Sequence, residues 1–294
     1  MKKMEFTIDS RPQREWGWLV ILELFFTPAG AGTFVFALIL GSSLHMFIGV
    51  VLVLLGSFLL LADLTKPLNA WRVITRPQTS WISRGAVGIG VFLVLSIFHI
   101  IALSLLHGKW MSATGVPWTT GPVWLMILGV VAGFSALFVA VYPGFLLADM
   151  HSIPFWNTSL LPVLFLISGL FSGIGIVYVI PYPWEVQIWA WRILKALSIG
   201  VYILGCLFVF VLTLMVSKEK RQEPLNHFSL DKLRIHFLGG IIGVGVVVPF
   251  VLLILLFRGW ISGALLPLIG IAIVFGMLLL RYCLLRGGLH RKPV

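Results

Sequence analysis

Long apolar runs alternate with short polar or basic segments along the whole chain. Eight runs, 17–40, 44–62, 85–106, 123–148, 160–180, 196–216, 236–257 and 261–281, each hold about 20 mostly apolar residues. That is the length at which an α-helix crosses about 30 Å of hydrocarbon. Inside lipid a helix satisfies its own backbone groups, which an open strand does not. The pattern therefore predicts an all-α polytopic membrane protein of eight transmembrane helices. It reads as one integral membrane domain built of two four-helix bundles, 1–158 and 159–294. Met1 to Trp16 is polar, and the first run is too long for a signal-peptide core and has no small-residue cleavage site after it. The first helix is expected to stay as its own insertion signal. Pro183 to Lys195, rich in tryptophan, predicts a short interfacial helix leading into the sixth span. Trp16, Trp81, Trp156 and Trp260 stand near span ends, as an aromatic belt would.

Composition strengthens this reading. Of 294 residues, 60% are hydrophobic and only 11% charged, where a soluble domain carries about a quarter charged. The net charge of +11 does not point to nucleic acid, because the basic residues flank apolar runs instead of forming a stripe. Eight spans put both termini on one side, side A. Seventeen of the 21 Lys and Arg residues fall there, leaving Lys109, Arg192, Lys195 and Arg258 on side B. The positive-inside rule then makes side A, and both termini, cytoplasmic. A basic face would equally suit docking of an acidic partner. Cys206 and Cys283 form no CxxC or CxxCH, so a cysteine-held iron–sulfur, zinc or c-type haem site is not expected.

Polar residues are informative where polarity is expensive. Glu23 lies about 10 Å below side A at 1.5 Å per residue, and Tyr142 lies at a similar depth. Asp63 ends the second span, Ser83 and Arg84 begin the third, Asp149 ends the fourth, and Trp156 and Asn157 precede the fifth. Polar groups from five helix ends thus converge on one face of the membrane. Pro28 leaves the carbonyl of Leu24 without its donor, and Pro143 does the same for Val139. Ala29 to Gly32 would let another helix, or a flat ligand, approach closely. Blander alternatives stand beside each residue. Glu23 could bond a neighbouring helix, Asp63 and Asp149 could cap span ends, and Tyr142 could be core. His45 and His99 lie nearer side B. A bis-histidine haem b, a proton route through His99, and a histidine bonded to nearby backbone are the readings for them. A secondary transporter also uses broken helices and buried carboxylates, though its site usually lies at the midplane between repeats. No repeat is visible here.

The loop Asp63-Leu64-Thr65-Lys66-Pro67-Leu68-Asn69-Ala70-Trp71-Arg72, followed by Arg76-Pro77 and Ser80-Trp81-Ile82-Ser83-Arg84-Gly85, resembles the second-to-third-helix loop of the polysulfide reductase membrane-subunit family (NrfD/PsrC type). Trp16-Gly17-Trp18, Pro28 to Gly32, Tyr142-Pro143-Gly144-Phe145 and Ile153 to Asn157 agree with it. The likeness covers about residues 14–175. Thr65-Lys66-Pro67 replaces a usual glycine-arginine-proline, and Glu23 stands where many members have a neutral residue. The resemblance implies an anchor without a redox centre of its own, neither haem nor iron–sulfur cluster. It implies a ferredoxin-like iron–sulfur subunit and a molybdopterin catalytic subunit as partners. It also implies menaquinone or ubiquinone binding on side A, near Glu23, Asp63, Trp81, Ser83, Arg84, Tyr142 and Asp149. Tyr142 would bond a quinone oxygen, Glu23 would accept the quinol proton, and Arg84 would hold Asp63 or the loop. Lys66, Arg72, Arg76 and Arg84 would face the iron–sulfur partner.

Overall fold

A computed structural model of the chain describes residues 11–12, 16–64, 71–73, 78, 80–107, 122–151, 153, 156–180, 188–222, 236–260, 262–287 and 289–290. Among these residues, eight helices are long and apolar enough to cross a membrane. They are α1 (Trp18–Leu40), α2 (Ser43–Asp63), α3 (Trp81–His107), α4 (Val123–Ala148), α5 (Leu160–Val179), α6 (Ile188–Gln222), α7 (236–257) and α8 (Leu266–Arg286). A short antiparallel pair, β1 (Arg11–Pro12) with β2 (Leu289–His290), brings the two ends of the chain together. The same pairing places the start of α1 and the end of α8 at one end of the bundle.

Local chemistry sets the element ends. Gly41, at φ 65°, takes the left-handed conformation that closes α1, and its N–H returns to the last turn of that helix. Only glycine adopts this at little cost. Ser42 follows directly and caps α2, its Oγ accepting from the backbone N–H of His45. α1 and α2 therefore form a tight helical hairpin.

α1 and α5 are central. In each, 72% of the most apolar stretch is buried, against 33–44% in the other six helices. Glycines connect the helices in series. A Cβ on Gly30 would lie 2.6 Å from the carbonyl oxygen of Gly49, joining α1 to α2. Gly32 meets Gly169 and Gly173 at the α1–α5 crossing. Gly175 lies against Ile273 and Gly270 of α8, and a Cβ on Gly245 of α7 would sit 2.8 Å from the Cα of Gly276 on α8. Such small-residue crossings let backbones approach where no hydrophobic force drives helices together. The small residues after Pro28 therefore admit neighbouring helices, α2 and α5. Buried residues fall into two clusters. One lies among α1–α4; the other joins part of α1 to α5–α8.

Four expectations from the sequence need correction. Among the described residues, no separate interfacial helix precedes the sixth span. Residues 188–195 belong to one unbroken 35-residue helix, with no proline or glycine before Gly200 to interrupt it; residues 181–187 lie outside the described residues. The seventh span is not regular throughout, because His236–Val247 winds as a π-helix before the α-helical Val248–Phe257. Four glycines in that stretch, Gly239, Gly240, Gly243 and Gly245, weaken its preference for regular α-winding. The last span does not stop at Arg281, since α8 continues to Arg286. Trp156 does not sit in an interfacial belt. It is 1% exposed and its indole N–H donates to the carbonyl of Leu284 at 2.9 Å, while its ring stacks on Trp16 at 5.3 Å.

Candidate functional site

Glu23 and Tyr142 meet. Both are buried, on α1 and α4, and the Tyr142 hydroxyl donates to Oε1 of Glu23 at 3.1 Å. The tyrosine ring is positioned from two sides. Phe138, one turn earlier on α4, stacks on it, and the backbone of Gly85 on α3 lies against its edge, where any Cβ would overlap ring carbons. Thr27, one turn beyond Glu23, has a buried Oγ1 without a partner among the described residues, facing Gly56 of α2. A carboxylate, a phenol and a free hydroxyl oxygen thus share a low-dielectric region in which proton transfer and hydrogen bonding are strengthened.

Arg281 joins this neighbourhood, and reading along the sequence misses it by counting it with the side A topology charges. It is 2% exposed on α8. Its Nη2 donates to Ser168 Oγ of α5 at 2.8 Å, and its guanidinium lies 3.8 Å from the centre of the Phe165 ring. Glu23, also buried, is on α1, which packs against α8. A signal does exist in the sequence: the apolar run resumes at Cys283-Leu284-Leu285, so the arginine interrupts a span and does not end one.

Near the pair, the start of α3 is tied to α4 and to two described points of the segment before it. Trp81 stacks flat on Phe145, one turn past Tyr142, with centroids 4.6 Å apart. Arg84 lies over the Trp81 ring at 4.6 Å and its Nη2 donates to the carbonyl of Gln78 at 2.7 Å. Ser83 is buried and donates to the carbonyl of Val73. Arg84 thus bonds one described point of the segment that leads into α3. Arg72 is exposed beside Trp71. Lys66 and Arg76 lie outside the described residues. Asp63 and Asp149 are exposed at the ends of α2 and α4 and do not enter the buried centre.

The histidines lie elsewhere. His45 is bonded on both ring nitrogens, Nδ1 to Ser42 Oγ at 2.7 Å and Nε2 to the Ile180 carbonyl at 3.2 Å. His99 is buried, but neither ring nitrogen has a partner among the described residues, so the expected bond to nearby backbone is not found. Its ring faces Gly129 on α4, where a Cβ would lie 2.9 Å from Cε1. Among the described residues no group of three or more His, Cys, Asp or Glu is placed to share a metal ion.

Known proteins share this sequence pattern. The family profile described as polysulphide reductase, NrfD, matches residues 7–292. The C chain of polysulfide reductase from Wolinella succinogenes is 28% identical over 196 residues, covering 60% of this chain and 61% of that protein. Protein NrfD of Escherichia coli strain K12 is 28% identical over 189 residues, covering 55% of this chain and 58% of that protein. The aligned part thus spans about three-fifths of each relative.

Proposed function

The chain belongs to the polysulphide reductase NrfD family, and we propose that it is the quinone-handling membrane anchor of a multi-subunit respiratory oxidoreductase. In this reading it passes electrons between a menaquinone or ubiquinone pool and a ferredoxin-like iron–sulfur subunit, which serves a molybdopterin catalytic subunit. One observation carries the reading: a buried tyrosine hydroxyl bonded to a buried carboxylate, beside the start of α3, where Trp81 stacks on Phe145 and Arg84 lies over Trp81. The residues suit a ligand with ring oxygens, because Thr27 Oγ1 is an orphaned polar atom one turn from Glu23. Thr27, Tyr142 and Glu23 would hold it.

Bound there, a quinol supplies two electrons and two protons. Tyr142 directs its only hydroxyl proton to Glu23, so its oxygen offers lone pairs to a ligand O–H. Glu23 is the proton acceptor at the end of that hydrogen-bonded path. With Glu23 protonated the bond reverses, and Tyr142 becomes a donor to a carbonyl oxygen. Lys66, Arg72, Arg76 and Arg84 form the basic loop that faces the iron–sulfur partner, and side A is cytoplasmic.

Glu23→Gln keeps shape and hydrogen bonding but removes the proton acceptor. Quinol-driven electron transfer by the assembled complex is expected to fall by about 10²–10⁴-fold while partners and quinone still bind. Tyr142→Phe is expected to raise KM for quinol more than it lowers kcat, because orientation is lost. Unchanged quinol turnover in purified Glu23→Gln complex would make Glu23 a packing residue.

A further inference from the structure

Arg281 carries a full charge into the bundle with few visible means of support. Guanidinium is delocalised and holds its proton where an ammonium gives it up. Ser168 is a neutral acceptor and the Phe165 face a weak one, and Ser168 Oγ already donates to the carbonyl of Leu164. Nε and Nη1 of Arg281 have no partner among the described residues. α8 packs on α1, and Glu23 is the buried charged residue of α1. Trp156 closes this region from side A by bonding the carbonyl of Leu284, so bulk water does not screen the two charges.

We propose that Arg281 is the counter-charge of Glu23 and a positioning residue of the site, with its unpartnered N–H groups directed to the space between them. The tyrosine pins one carboxylate oxygen of Glu23, and the arginine field acts on the same carboxylate from the opposite half of the molecule. The site is then not confined to α1–α4. It needs α8, and through Ser168 it needs α5. The pairing rests on two buried charges in packed helices and on the unpartnered guanidinium N–H groups; its effect on turnover rests on reading Glu23 as the proton acceptor.

The test is a double-mutant cycle on the full-length chain in its assembled complex. Glu23→Gln, Arg281→Gln and the double variant are compared for the midpoint of thermal unfolding in detergent and for kcat and KM with quinol. Arg281→Lys is the conservative rescue. Removing one member of a buried pair strands the other, so each single variant is expected to lower the midpoint. The double variant, having lost both charges, is expected to recover most of that loss. Arg281→Gln is expected to lower kcat by roughly tenfold or more, with KM moving less, and Arg281→Lys to restore a large part of it. Additive lowering of the midpoint in the double variant would overturn the pairing. Wild-type turnover in Arg281→Gln, beside an inactive Glu23→Gln, would overturn the positioning role. A non-additive cycle with a fully active Glu23→Gln would keep the pair and defeat the proton role instead.

Discussion

The position of the Tyr142 hydroxyl depends on a residue that has no side chain. Gly85 on α3 leaves its backbone open to the edge of the Tyr142 ring, and an added methyl would overlap ring carbons. Gly85→Ala is therefore expected to push the ring away from Glu23 and to reproduce the KM effect of Tyr142→Phe without touching the phenol. Overpacking of this kind also costs about 1–3 kcal/mol of stability. Gly90, five residues along the same helix, has nothing within 4 Å of an added Cβ. Gly90→Ala is the matched control, and steady-state kinetics with a thermal melt separates the two. Sequence alone singles out Glu23 and Tyr142, because an ionisable or hydroxyl group in an apolar run is conspicuous and helix rise gives its depth. It does not reveal that they touch, since depth carries no information about which way a helix face turns. Gly85 is visible in the sequence only as the end of a motif.

At the scale of elements, the crossing of α1 and α5 is a contact of backbones. A Cβ on Gly173 would run into the peptide between Gly32 and Thr33, which no rotamer change relieves. Gly173→Ala is expected to separate the two most enclosed helices and to reduce the yield of folded protein in the membrane. Gly200→Ala on α6, which meets nothing within 4 Å, should leave the yield unchanged; size-exclusion chromatography of solubilised protein distinguishes these outcomes. The spans themselves are legible because a run of about 20 apolar residues has one physical solution in lipid. Their ends are legible where glycine or serine caps them, as at Gly41 and Ser42. The end of α8 is not, because a basic residue after an apolar run looks like a water-facing stop. Arg281 is instead matched by groups on helices far away in sequence, which a reading along one run does not show.

For the whole molecule, orientation follows from charge that faces water. With Arg281 enclosed, sixteen Lys and Arg residues remain on side A against four on side B, so the positive-inside bias survives. A reporter active only outside the cytoplasm is expected to be silent when fused after Val294, and activity there would make the basic face a docking surface on the other side of the membrane. Helix length bears on how the molecule sits between the two surfaces. α5 has 20 residues, about 30 Å of rise, which matches the hydrocarbon thickness with nothing to spare. α6 has 35 residues, about 52 Å. Even at a tilt of about 40°, the steep end of the range for membrane helices, it would still project about 40 Å along the membrane normal. Tilting cannot hide the excess, so roughly two turns of α6 must leave the hydrocarbon whatever the lipid. Bilayer thickness therefore acts on this protein through the helices that barely span it, α5 with its Ser168 and, at 21 residues each, α2 and α8. Mismatch at α5 would be felt at Arg281, whereas α6 passes through thin and thick membranes alike.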